Sequence, residues 1–183
     1  PGTGTGLLIA TNVADKGAGT LSVRGDNIWR AELRVIEKLA VSNLNVGAAG
    51  APVVVATRDQ FTNVTGNITV NNGVLSSIGD VVRELGAGPG QVRFVGGTQS
   101  GMGAFASDVS FTFTQGGQTN LLAWGSTNFD IGTFQLNDAE AGAQLTLRNG
   151  VDLISDTGTV TRTMQVDNNI AVVTGPVTNS GSG

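Results

Sequence analysis

Gln144-Leu-Thr-Leu-Arg-Asn-Gly-Val-Asp-Leu-Ile154 alternates apolar and polar residues, turns at Asn149-Gly150 and resumes with an apolar residue at Val151. Alternation with period two puts Leu145 and Leu147 on one face of an extended chain and Thr146 and Arg148 on the other, the pattern of a half-buried strand. The same grammar recurs outward from this stretch, in Val109-Ser-Phe-Thr-Phe-Thr114, Leu121-Leu-Ala-Trp-Gly-Ser126, Thr133-Phe-Gln-Leu136 and Val160-Thr-Arg-Thr-Met-Gln-Val166. Each run is closed by Gly, Asn or Asp, and no helical period separates them. The chain therefore reads as all-β.

Ile68-Thr-Val-Asn-Asn-Gly-Val74 has the same shape as Leu145-Thr-Leu-Arg-Asn-Gly-Val151. Asn-Gly ordinarily marks a hairpin, because both central residues of a type I′ turn need positive φ. In a coiled sheet the same pair can turn the corner between faces, with Asn side chains stacking from coil to coil. Recurring strands and turns without regular helices predict a β-solenoid, with a β-sandwich or jelly roll as the alternative. Further strands are expected at Leu7 to Val13, Gly17 to Val23, Val53 to Val55 and Gln91 to Val95. Trp29 to Val41 fits two periods: Ala31, Val35, Ile36 and Leu39 fall at helical spacing, whereas Leu33 and Val35 share a strand face, so one short helix near 30–40 stays open.

The 183 residues suit a single domain, 1–183, with one core. Only 13% are charged, against about 25% in an ordinary soluble domain, and Gly reaches 28, so Thr, Ser, Asn and Gln must build the surface. A net charge of −4 with ten Lys and Arg argues against nucleic acid and against an anionic membrane surface. No apolar run approaches the ~18 residues of a membrane helix. Absence of Cys removes disulfides and thiolate metal sites and suits work outside the cell. Both Gly/Thr/Ser-rich ends read as cut from something longer.

Gly88-Pro-Gly-Gln-Val-Arg-Phe94, Gly101-Met-Gly-Ala-Phe-Ala106, Leu122-Ala-Trp-Gly-Ser126 with Phe129, and Val160-Thr-Arg-Thr-Met-Gln-Val-Asp-Asn-Asn169 followed by Ala171-Val-Val-Thr-Gly175 resemble proteins with autotransporter-associated β-strand repeats. Lys16-Gly-Ala-Gly-Thr-Leu-Ser-Val23, Gly25-Asp-Asn-Ile-Trp29 and Leu39-Ala-Val-Ser-Asn43 are similar to the repeat itself. The resemblance covers most of the chain, loosely over 52–84, and Arg30 to Lys38 departs from the repeat. It implies a right-handed parallel β-helix, tips 30–40 toward strand, and places the chain on a bacterial cell surface or in the extracellular space. Coils of about 22 residues would give roughly eight rungs and a rod about 40 Å long.

Such a rod has open sheet edges at both ends, and unpaired edges recruit further strands. The expected function is structural: one unit of a longer repetitive or polymeric protein, self-associating head to tail as a tandem array or homopolymer. The alternatives are an adhesive or carbohydrate-binding module for surface glycans and, third, a glycan-active β-helix enzyme. For the second, Trp29 and Trp124 are candidate sugar-stacking residues, although rigid core or corner placement is the commoner role. For the third, Asp138 with Glu140 and Asp152 with Asp156 are the available carboxylate pairs. Such pairs are more often solvated corners, and His and Tyr are absent, so no catalytic residue is assigned. No cofactor or metal is expected; calcium on these carboxylates is the weaker alternative, without a calcium-loop spacing to support it. Asn63 and Asn67 head glycosylation sequons. Arg24-Gly-Asp26 is read as a strand-ending turn. The expected core residues are Leu121, Trp124, Leu145, Leu147, Val151, Leu153, Val166 and Val172.

Overall fold

A computed structural model describes residues 5–14, 19–24, 30–47, 54–58, 61, 63–96, 98–154 and 160–181. Among these residues there are twenty strands and no helix, arranged as three sheets whose neighbours are almost all parallel. Sheet A stacks β1 (Thr5–Ala14), β3 (Arg30–Ala40), β5 (Val54–Arg58), β7 (Gly73–Ser77), β10 (Gln99–Ala104), β15 (Thr133–Leu136) and β18 (Thr163–Gln165) in that order. Sheet B stacks β2 (Thr20–Val23), β4 (Asn43–Val46), β6 (Ile68–Val70), β9 (Gln91–Val95), β8 (Val81–Leu85), β11 (Val109–Gln115), β16 (Leu145–Leu147) and β19 (Ala171–Val173). The short β12 (Gln118–Thr119) and β14 (Phe129–Asp130) attach to β11 and β9, and β13 (Leu122–Ala123), β17 (Val151–Asp152) and β20 (Val177–Thr178) form sheet C. Strands consecutive in the chain lie mostly in different sheets, and each pairs with the strand one coil away. This is a parallel β-helix.

The 30–40 segment is a strand throughout, paired with β1 on one side and β5 on the other. Leu33 and Leu39 are buried in the core. Two ladders outweigh the small helical preference of Ala, Leu, Glu and Lys, and an irregularity in the β1–β3 register between Ala10 and Asn12 absorbs the segment's extra length.

Seven rungs in sheet A, at ~4.8 Å each, make a stack about 30 Å long, shorter than the expected rod. The coils are unequal: Thr69 and Arg93 on adjacent rungs are 24 residues apart, whereas Phe113 and Asn149 are 36 apart. Part of the difference is spent on a tight antiparallel reversal between β11 and β12, where Gly116 and Gly117 adopt φ of 58° and 77°.

The Asn-Gly pairs turn corners and do not close hairpins. β6 and β7 flank Asn71-Asn72 but lie in different sheets, with Asn72 at φ 56°. Its Oδ1 accepts the N–H groups of Thr98 and Gln99 on the next coil. Asn149 accepts the N–H of Phe113 and donates to the carbonyls of Phe113 and Asn120. Asn137, fully buried at φ 67°, accepts from Ala104 N–H and donates to Ala143 and Ile170 carbonyls. A corner bends the backbone out of ladder register, so its buried polar groups need partners from elsewhere. These amides supply them and fix one coil on the next.

A single apolar cluster runs from Leu33 to Val151. Its centre is aromatic: Phe94, Phe113, Phe129, Phe134 and Trp124 meet edge to face at centroid distances of 5.0 to 6.2 Å. Of the expected core residues, Leu145, Leu147, Val151 and Trp124 are buried, and Leu153 packs against the cluster. Val166 is 47% exposed, and Leu121 and Val172 are only partly buried, their places being taken by Leu122 and by Ala171 and Val173.

Candidate functional site

The two ends of the coil carry most of the exposed large apolar side chains among the described residues. Among the described residues, at the first rung β1 pairs only with β3, and β2 only with β4. Leu8 lies opposite Leu33 in the ladder; Leu33 is 3% exposed and Leu8 63%, because the same inward-facing column has no further rung to cover it. Leu7 and Ile9 on either side are also exposed. At the other end β18, β19 and β20 each have one partner strand among the described residues. Val160, Val166, Ile170 and Val177 are exposed there. Among the described residues, seven of the eight exposed large apolar side chains thus sit on the terminal rungs; Val82 is the eighth.

Both terminal rungs also present a row of backbone N–H and C=O groups to the exterior, the geometry that accepts another strand. Among the described residues, sheets A and B end in edge strands at both ends. At the last rung the Asp152 carboxylate accepts bonds from the Ser180 hydroxyl and, at 2.9 Å, the Ser180 N–H, and Ile154 N–H also faces it. These bonds hold its pKa below the ordinary value and tie the segment after β20 to β17.

The residues singled out from the sequence are not gathered into one site. Trp124 is 1% exposed, its Nε1–H donates to the Ile131 carbonyl at 2.6 Å, and Phe129 and Phe134 pack on it. An indole packed this way offers no face to a sugar, so Trp124 is a core residue. Trp29 lies outside the described residues, as do Gly25 and Asp26 of the Arg-Gly-Asp triplet. Asn63 is exposed, but the Asn67 Nδ2, the atom a glycan would occupy, donates to the carbonyls of Gly86 and Gln91 at 3.0 and 3.2 Å. Asn67 therefore closes the neck of the Gly86 to Gly90 loop.

Asp138 is buried beside exposed Glu140 in a turn closed by Ala141 N–H, Asp152 is committed to Ser180, and Asp156 lies outside the described residues. Among the described residues no group of three metal-ligating side chains occurs, and no helix is long and apolar enough to cross a membrane.

The class defined by the architecture is the parallel β-helix. No family model, no curated protein and no solved structure matches the chain.

Proposed function

We propose that the chain is a structural β-solenoid module of a bacterial extracellular surface or matrix protein, working by head-to-tail stacking on further copies of itself. The observation that carries this reading is the concentration of exposed apolar side chains on the two terminal rungs, at strand edges that lack a second partner. Burying apolar area there contributes roughly 25 cal/mol per Å², and each added ladder pairs backbone groups already held in strand geometry. The near-neutral surface, poor in Lys and Glu, offers little charge repulsion between units. The location outside the cell rests on the absent cysteines and on the resemblance to autotransporter-associated repeats.

Sedimentation of the 183-residue chain over a concentration series, with negative-stain electron microscopy of the same samples, tests the assembly. Mass should rise with concentration, and rods should carry an axial repeat near 30 Å. Leu8→Glu, which sets a charge on the end of the inner column, should stop growth while leaving the circular dichroism spectrum unchanged. A chain that stays at 18.5 kDa at every concentration would refute the proposal.

A further inference from the structure

Among the described residues, Val82 is the one large apolar side chain exposed away from the terminal rungs, and at 70% it is the most exposed of them all. It stands on the outer face of β8, where β8, β11, β16 and β19 stack in order within sheet B. Ladder register fixes its surroundings. Val82 lies opposite Thr112, Glu84 opposite Thr114, and Ser110 opposite Thr146. Phe111 and Phe113, between these positions, are buried in the core, so Ser110, Thr112 and Thr114 point outward. Arg148 directly follows Leu147, the partner of Phe111, and its N–H donates to the Phe111 carbonyl. It therefore stands beside Thr112 on the side away from Val82.

This face is divided by charge. β8 carries Asp80 and Glu84 on either side of Val82, and both carboxylates are already oriented: Asp80 Oδ1 accepts the Ser110 N–H at 2.7 Å, and Glu84 accepts the Gly116 N–H and Gln91 Nε2–H, each at 3.1 Å. β16 leads into Arg148, which is exposed and makes no side-chain hydrogen bond or ion pair among the described residues. Between them β11 offers three hydroxyls and no charge. Acids and base thus lie one strand spacing, about 4.8 Å, to either side of β11.

A surface with this pattern is complementary to itself. A twofold axis along β11 lays β8 of one copy over the β16 of another and leaves position along the strand unchanged. Arg148 of each copy then falls on Val82 of the other, between Asp80 and Glu84. The guanidinium meets two carboxylates, its methylene stem covers the valine, and hydroxyls meet hydroxyls along the axis. Two copies at −4 repel each other at long range, so a lateral contact needs opposite charges set against each other in this way.

We propose that this face of sheet B pairs with the same face of a second copy, Arg148 of each chain bridging Asp80 and Glu84 of the other around Val82. Isologous contacts of this kind close as a dimer. Four strands with about three outward positions each cover roughly 400 Å² per copy, about half of one side of a standard interface, so single units pair weakly. The axis reverses the direction of the coil, and stacked units would pair as antiparallel rods in which the contact repeats. The pairing lies on the flank of the coil, goes beyond the end-on assembly reading and does not depend on it.

Sedimentation equilibrium of the Leu8→Glu chain at low salt tests the proposal apart from end-on growth. The chain should form a dimer by about 1 mM, and salt near 1 M, where the Debye length is about 3 Å, should weaken it about tenfold. Arg148→Glu alone should be monomeric, as should Asp80→Lys with Glu84→Lys. An equimolar mixture of these two variants should recover the dimer, because both contacts then pair opposite charges, a rescue that a folding defect cannot produce. Asp80→Asn with Glu84→Gln keeps the acceptor oxygens without the charge and should weaken the dimer as much as Arg148→Gln does. A Leu8→Glu chain that stays at 18.5 kDa up to about 1 mM would overturn the proposal, as would a dimer that survives Arg148→Glu. So would a mixture of the two folded reversal variants that stays monomeric. Should the lysine pair fail to fold, the Asn and Gln variant decides, and a dimer as tight as the parent's overturns the proposal.

Discussion

The early rungs and the later ones solve the same packing problem with different materials. From β2 to β6 the coil is short, 23 residues separating Ser22 from Asn45, and the chain passes from sheet B to sheet A through Asn71-Asn72 with no third-sheet strand among the described residues. Its core there is mainly aliphatic, with Leu33, Leu39, Leu44, Val46, Ile68 and Val70, and Phe61 is its one buried aromatic among the described residues. From β10 onward the coil lengthens, sheet C appears, and the interior is filled by Phe111, Phe113, Phe129, Phe134 and Trp124. A longer coil encloses a wider cross-section, and aliphatic side chains from opposite walls no longer meet across it. Interiors must nevertheless reach close-packed density, so the wide part needs rings. The difference teaches that coil length and core chemistry are set together.

The strongest way to break this account is at the centre of the wide part. Phe129 touches Phe94, Trp124 and Phe134, and Phe129→Ala should lower stability by about 3–5 kcal/mol in denaturant unfolding, whereas Ile68→Val in the narrow part should cost about 0.5–1.5 kcal/mol. Similar losses at the two sites would undo the comparison. Next comes Asn137→Ala, which strands the Ala104 N–H and the Ala143 carbonyl and leaves the Ile170 carbonyl with the Leu145 N–H alone. Each buried group left without a partner costs about 1–3 kcal/mol, and a loss of about 2–4 kcal/mol is expected. A loss below 1 kcal/mol would show that the coils hold their register without this amide.

Amide hydrogen exchange sharpens the comparison further. β1, with one neighbouring strand and exposed Leu7, Leu8 and Ile9, should exchange well before β10 and β15, which have a partner on each side. Uniform protection across the rungs of a dilute sample would contradict the picture of an exposed first rung.

The smallest effect is at Asp152. Its folded-state pKa is depressed by the Ser180 hydroxyl, the Ser180 N–H and the Ile154 N–H. The carboxylate's contribution is therefore complete above the ordinary aspartate value of 3.8 and is lost as pH falls through the lower folded value. Protection of the Ser180 amide should fall in that acid range, and Asp152→Asn should remove the pH dependence. An amide equally protected at pH 7 and pH 2 would contradict the latch.

The all-β class and the corner role of Asn-Gly were legible because alternation and turn chemistry are local. Phase was legible only where alternation is strict. In Leu145-Thr-Leu147 the polar residue marks the outer face, but Ala171-Val-Val173 is apolar throughout, and only its pairing with β16 sets Ala171 and Val173 inward and Val172 opposite Thr146. Leu121-Leu122 has the same ambiguity, resolved by Leu122 facing Val151. Val166 lies just past β18, where alternation no longer governs. Nor does the sequence reveal that β8 and β9, separated by the Gly86 to Gly90 loop, enter the same sheet side by side. Exposure of Leu8 was equally invisible, because its pattern is that of a core strand and only its place at the end of the stack uncovers it.

The buried corner amides bear on how long the molecule lasts. Asn followed by Gly is the sequence at which peptide chains age fastest, because the glycine nitrogen can close onto the side-chain carbonyl carbon, and Asn is a residue that heat damages. Asn149 cannot swing into that approach while its amide grips both the N–H and the carbonyl of Phe113, and Asn72 is held by the N–H groups of Thr98 and Gln99. The corners that set the coil therefore also hold these two amides out of the geometry in which they would age.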